Sequence, residues 1–302
     1  MIIDTIGQIR NDLYCLGITE CPIFLLDGPE PVIFDAGVTC AGKIYVEAIR
    51  AILGDRQPSI LFLTHVHWDH CGAASYLKDA FPTMKIAASS AAEGILKRPN
   101  ALALIKRLNE VITVRLGSLP ELDISLLVTE PFRPFEIDIE LKDNQVMNLG
   151  EGRVLEVLAT PGHTQDHFSF YVPDERILIA GEAAGVCYGS GIVSTEFVSD
   201  YDAYLSSVTR LADLRTEVFC QGHYRNLVGR EEIRAFFEQS IRATVDFKAR
   251  VLELLGEEEG SIDPVIERLK KERYDIIPDP KQPEPAYLLN LRAQVAHLAV
   301  NG

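Results

Sequence analysis

Apolar residues along the first part of this chain come in short runs broken by turn residues, the mark of strands. Residues 21–26 and 31–34 are two such runs, separated by Asp27-Gly28-Pro29-Glu30, and the second ends in Asp35-Ala36-Gly37. Residues 44–53 switch to helical spacing, 59–63 form an apolar strand, 73–81 a helix and 84–88 a strand. From about 89 to 135 the character changes. Leu102, Ile105, Leu108 and Ile112 mark a helix over 99–112, and scattered apolar residues among turns follow it. This stretch reads as an insertion between strands.

Strands resume at 136–141, 145–149, 154–159, 168–172 and 177–180. A helix over 201–214, with Ser199 or Asp200 as its N-cap, precedes a last strand at 217–220. The tail is helical: Ile233, Phe237, Ile241, Val245, Leu252 and Leu255 keep one face apolar, with Gly256 as the expected stop. Glu257-Glu258-Glu259 reads as a solvated linker, and 278–285, with Pro278, Pro280 and Pro285, as non-helical. A final helix sets Leu288, Leu291, Val295 and Leu298 on one side and His297 on the polar side. No repeat of fixed period is visible. The strand-rich halves, about 1–90 and 136–225, predict two sheets packed face to face.

Composition narrows the function. At 302 residues and 47% hydrophobic, the chain can bury a core without staples. Its net charge of −15 repels phosphate backbones and anionic membranes, which argues against a nucleic-acid or membrane partner and for a small-molecule substrate. Lys97, Arg98, Lys106, Arg107 and Arg115 make the insertion locally basic and read mainly as a solvated helix face. The six cysteines do not pair as metal ligands along the sequence and are expected to be reduced and buried. No basic leader and no membrane-length apolar run is present, so the expectation is a cytoplasmic protein.

The chemistry is concentrated after the strand at 59–63. Three of the seven histidines and an aspartate fall within six residues: His65, His67, Asp69 and His70. Imidazole and carboxylate suit zinc, iron or manganese, and residues i and i+2 of an extended chain share a face, so His65 and His67 can address one metal while Asp69 and His70 serve a second. Three further segments, Thr160-Pro161-Gly162-His163-Thr164, Ala180-Gly181-Glu182 and Gln221-Gly222-His223, each put one potential ligand just past a strand. Asp35 and Thr64 stand at strand tips, suited either to support a ligand histidine or to cap a turn, while His167 reads as a packing or supporting residue rather than a ligand and Cys71 as a packing residue.

The order HxHxDH, TPGHT, G-acid-xxG and GH resembles the metallo-β-lactamase superfamily from about Asp35 to His223. His70-Cys71-Gly72, the GHTQDH phrase, Arg107-Leu108-Asn109 in the insertion and the helical tail are similar to the branch holding glyoxalase II and the quinolone-signal-response protein PqsE. The resemblance implies an α/β fold, an αββα sandwich over 1–230 with a helical cap at about 89–135 and a helical extension over 231–302. It implies two divalent ions, zinc first and iron or manganese as alternatives, with His65, His67 and His163 on one, Asp69, His70 and His223 on the other, and Glu182 between them. The family usually places aspartate where Glu182 stands.

The expected chemistry is hydrolysis of an ester, thioester or lactone by a metal-activated hydroxide, with Asp69 orienting the nucleophile and no serine or cysteine nucleophile. Phosphodiester or sulfate-ester cleavage on the same centre is the first alternative. Iron redox chemistry and a catalytically weak regulatory protein are the others. An apolar face on the tail helices would suit a homodimer.

Overall fold

The computed structural model describes residues 1–119, 122–188, 191–278 and 281–302. Among them the strands are β1 (Ile2–Ile3), β2 (Gly7–Arg10), β3 (Leu13–Ile18), β4 (Cys21–Leu26), β5 (Val32–Phe34), β6 (Ile60–Phe62), β7 (Lys85–Ser89), β8 (Ile139–Leu141), β9 (Gln145–Asn148), β10 (Val154–Ala159), β11 (Phe168–Val172), β12 (Ile177–Gly181), β13 (Val186–Cys187), β14 (Val193–Ser194), β15 (Val218–Gln221) and β16 (Asn226–Val228). The helices are α1 (Gly42–Leu53), α2 (Ala74–Ala80), α3 (Ser90–Leu96), α4 (Pro99–Leu116), α5 (Tyr201–Ala212), α6 (Arg230–Glu257), α7 (Ile262–Leu269) and α8 (Glu284–Asn301).

Two seven-stranded sheets result, in the orders β2-β3-β4-β5-β6-β7-β8 and β1-β16-β15-β12-β11-β10-β9, with β13 and β14 as a separate hairpin. The strands β4, β5, β11 and β12 are buried at every position, because each sheet is covered on both faces and alternation gives way to continuous apolar runs. Between the sheets, Phe34, Phe62 and Phe170 stack with centroids 5.2–5.5 Å apart. The outer face of the first sheet packs on Tyr45, Ile49, Leu77, Ile105 and Leu108 of α1, α2 and α4. The outer face of the second packs on Tyr204, Phe236, Phe237, Val251 and Val295 of α5, α6 and α8. The architecture is the αββα sandwich.

The sheets do not divide at the insertion as the halves suggested. β8 lies beyond it yet pairs in parallel with β7, and β1 crosses to pair with β16. Each sheet thus ends on a short strand from the other half. Gly256 does not stop the tail helix. α6 runs through it to Glu257, and the chain turns at Glu259 (φ 52°) and Gly260 (φ 82°), where the Gly260 N–H donates to the Leu255 carbonyl at 2.7 Å. Pro285 is helical after all, because it sits in the first turn of α8, where a missing N–H costs nothing. Asp279 and Pro280 lie outside the described residues. His297 is half-buried rather than solvated and accepts the N–H of Tyr201 at 3.2 Å.

Candidate metal centre

Strand ends deliver the chemistry to one rim. β5 and β6 run parallel, as do β12 and β15, so Asp35, the segment Thr64–His70, Glu182 and His223 leave their strands on the same side. The β10–β11 turn adds His163. Gly162, at φ 126°, lets this turn approach α5: a Cβ there would stand 2.3 Å from the Tyr204 backbone.

Hydrogen bonds fix the tautomer of four rings. Thr64 donates its hydroxyl proton to Asp35 Oδ1 at 2.9 Å, so the 3.0 Å contact between Thr64 Oγ1 and His65 Nδ1 carries the imidazole proton. His70 Nδ1 donates to Asp35 Oδ2 at 2.8 Å. His163 Nδ1 donates to the Glu196 carbonyl, and His223 Nδ1 to the Glu20 carbonyl at 2.5 Å. Each ring therefore turns its Nε2 inward. His67 uses its other nitrogen: its Nδ1 lies 3.0 Å from His163 Nε2.

The inward nitrogens of His65, His70 and His223 converge on Glu182. Its Oε1 lies 2.7 Å from both His70 Nε2 and His223 Nε2. Its Oε2 is buried without a hydrogen-bond partner and stands 3.9 Å from His65 Nε2, which is equally without one. Asp69 Oδ2 is 3.7 Å from His223 Nε2. Buried polar atoms left unpaired are costly, and an acceptor facing an acceptor is repulsive, so this arrangement calls for protons or cations between the donor atoms. Imidazole nitrogens and carboxylate oxygens are ligands of divalent transition metals, and the cluster fits such ions.

The electrostatics agree. Burial holds His65 and His167 well below the ordinary imidazole range and pushes His67 and His163 down to about 4, which keeps these rings neutral and able to ligate. Burial opposes charge on His70 and His223, but Glu182 together with Asp35 at His70, and with Cys21 and Asp69 at His223, outweighs it and raises both. In turn His70, His65 and His223 overcome the burial of Glu182 and hold it well below the usual carboxylate range.

All seven residues singled out from the sequence lie in this cluster. Asp35 and Thr64 take the supporting role over the capping one. His167 stacks on His65 with centroids 4.9 Å apart and receives or gives a hydrogen bond at Thr160 Oγ1, 3.0 Å away. Three residues were given no part in the site by the sequence reading. Cys21 opens β4 beside Asp69 and His223, although linear spacing gave it no ligand neighbour. Glu196 is a buried carboxyl pushed up to about 7 by burial. Asn109 of α4 accepts the Thr39 N–H at 2.8 Å and donates to the Trp68 carbonyl at 3.1 Å, which pins the helix to the ligand segment.

Above the cluster lies a cavity of about 290 Å³. Its floor includes His67, Asp69 and His223, and its apolar walls come from Ile105 and Leu108 of α4 and from Ala286 and Leu289 of α8. Arg115 ties these walls together. It pairs with Glu20 at 2.8 Å and donates to the Lys281 carbonyl at 2.9 Å, so this residue of the basic stretch is not a solvated surface charge. Lys97, exposed and paired with Glu93, is one. Arg98 is exposed at the cavity.

Residues 18–223 match the family model of the metallo-beta-lactamase superfamily. The chain belongs to that superfamily, whose members include hydrolases that use divalent metal ions, and it is an enzyme of that class. It is 30% identical over 243 residues to the metallo-beta-lactamase fold-containing protein ST1585 of Sulfurisphaera tokodaii, covering 73% of this chain and 87% of the relative. It is 28% identical over 243 residues to the human acyl-coenzyme A thioesterase MBLAC2, covering 76% and 81%. Among solved structures, the metallo-beta-lactamase family protein TTHA1429 from Thermus thermophilus superposes with a TM-score of 0.65 at 22% identity, over 97% of this chain and 94% of that one, a likeness of fold. Among the described residues, no helix is long and apolar enough to cross a membrane.

Proposed function

We propose that this chain is a metal-dependent hydrolase that cleaves the thioester or ester of a small apolar acyl group. His65, His67 and His163 would hold one divalent ion and Asp69, His70 and His223 a second, with Glu182 shared. Residues 1–230 act as the catalytic unit, 89–135 as its cap and 231–302 as a helical extension that completes the pocket. The observation that carries the reading is the convergence of three imidazole Nε2 atoms, those of His65, His70 and His223, each with its Nδ1 committed elsewhere, on one buried carboxylate, with His67 and His163 meeting beside His65.

Bound ions supply Lewis acidity and make water acidic enough to attack near neutral pH. The chain supplies the rest. Asp35 keeps His70 in the tautomer that presents Nε2, and Thr64 does the same for His65. Asp69 faces the cavity with no hydrogen-bond donor among the described residues, placed to take a proton from water and orient it. Ile105, Leu108 and Leu289 exclude water from the acyl side and reward an apolar group. Similarity to an acyl-coenzyme A thioesterase supports a thioester over a phosphodiester.

The test is metal analysis of the purified protein followed by a panel of acyl thioesters, lactones, aryl esters and bis(p-nitrophenyl) phosphate. About two transition-metal ions per chain and turnover highest on thioesters or esters are expected. Metal-loaded protein that turns over only the phosphodiester, or nothing in the panel, overturns the reading.

A further inference from the structure

Cys21 occupies a position that the seven-residue centre leaves unexplained. Its Sγ, a carboxylate oxygen of Asp69 and a ring nitrogen of His223 all lie within 4.8 Å of one another. Ligand atoms around a tetrahedral ion with bonds of about 2.0–2.3 Å stand roughly 3.3–3.8 Å apart, so small side-chain rotations close the set on one ion. All three residues line the same cavity.

Two further observations point to a cation there. The Asp69 side chain is only 9% exposed, yet it has no hydrogen-bond donor among the described residues, and its ion-pair contact is with His223 Nε2 at 3.7 Å. A carboxylate that opens onto this cavity beside a thiol and an imidazole is placed to receive a cation. His70 Nε2 and His223 Nε2 both stand 2.7 Å from the same oxygen, Glu182 Oε1, so the ring that faces Cys21 and Asp69 already belongs to a set of donor atoms crowded around one cation-sized position.

The backbone holds Cys21 in place. The carbonyl of Glu20 accepts the His223 Nδ1 proton, and the carbonyl of Cys21 accepts the Tyr45 hydroxyl at 2.7 Å. Cys21 also pairs with Ile18 at the tight end of the β3–β4 hairpin. One dipeptide thus orients the imidazole through one carbonyl and sets a thiol beside the same ring.

We propose that Cys21 is a further, thiolate ligand of the second ion, joining Asp69, His223 and His70. The thiol proton leaves to solvent as the metal–sulfur bond forms. A sulfur donor biases this position toward zinc and cadmium and away from manganese, whereas the all-nitrogen triad of the first ion carries no such bias. The inference rests on the two-ion reading above.

Cobalt(II) loading tests it. With two cobalt ions bound, the wild-type protein should show a thiolate-to-cobalt charge-transfer band in the near ultraviolet, and Cys21→Ser should lose it while keeping the visible bands of the first ion. The variant should also bind its second ion about 10–100-fold more weakly. Cadmium-113 NMR of the unmutated protein gives the same answer without a variant: one resonance should fall in the downfield range of sulfur ligation and one in the range of nitrogen and oxygen ligation. Two bound ions with no sulfur signature, or a charge-transfer band that survives Cys21→Ser, overturn this ligand and leave the two-ion reading standing. Protein that takes up no metal overturns both.

Discussion

Asp35 has φ of 60°, an uncommon conformation for a non-glycine residue, and it spends both carboxylate oxygens on the metal cluster: one on Thr64, one on His70. Replacing it with Asn removes the charge that locks His70 as an inward Nε2 ligand. Asp35→Asn should weaken binding of the second ion about 10–100-fold, measured by chelator competition, with little change at the first. Glu196 makes a prediction about pH. Its folded-state value is raised to about 7 from an ordinary value of 4.5. The folded state therefore holds the proton more tightly, and stability falls as pH rises from the unfolded value through about 7, by roughly 3 kcal/mol at most. In chelator-treated protein, Glu196→Gln should flatten that decline in urea melts. An unchanged slope would place the titrating group elsewhere. The single residues were legible in the sequence to the extent that a ligand follows a strand. Cys21 was not, because it starts a strand forty-eight residues before Asp69, and only the antiparallel pairing of β4 with β5 brings that strand's beginning to the rim where β5 ends.

Between residues and molecule, the elements act through their ends. Residues 154–159 and 168–172 read as strands with their observed bounds, because they are short apolar runs between turn signals. β2, β3 and β16 were not legible: Gly7, Gly17 and the polar Asn226 break their patterns, and partner strands rather than propensity hold them. The turn between β10 and β11 depends on Gly162. Gly162→Ala would force a methyl into the Tyr204 backbone and should cost about 3 kcal/mol or more, read as a lowered melting temperature together with loss of metal, since His163 is the next residue. The cap helix α4 depends on Asn109. Asn109→Ala leaves the Thr39 N–H and the Trp68 carbonyl without their partner and should cost roughly 2–3 kcal/mol. Faster amide exchange over residues 66–72 than in the rest of the first sheet would locate that loss. Uniform exchange would contradict the pinning role.

At the scale of the whole molecule, the metal centre joins the two sheets from their shared rim. Asp35, His65 and His70 come from the first sheet, and His163, Glu182 and His223 from the second. Ions bound there by the folded chain alone stabilise it by mass action, about 4 kcal/mol at a thousandfold excess over the dissociation constant. Chelation should lower the melting temperature by several degrees, and zinc should restore it. The sandwich was readable from the order of strands and helices, but the exchange of β1 and β8 between sheets was not, because two- and three-residue strands carry no period of their own.

The last helix also has a say in what the enzyme accepts. Ala286 and Leu289 close one side of the cavity, while the opposite side belongs to a helix almost two hundred residues earlier in the chain. If helix α8 were pared back, the chamber would become an open trough, and the acyl substrates proposed above could then be longer, with small ones held less well. On that reading, size selectivity would be tuned by changes far along the polypeptide from the histidines proposed to hold the ions.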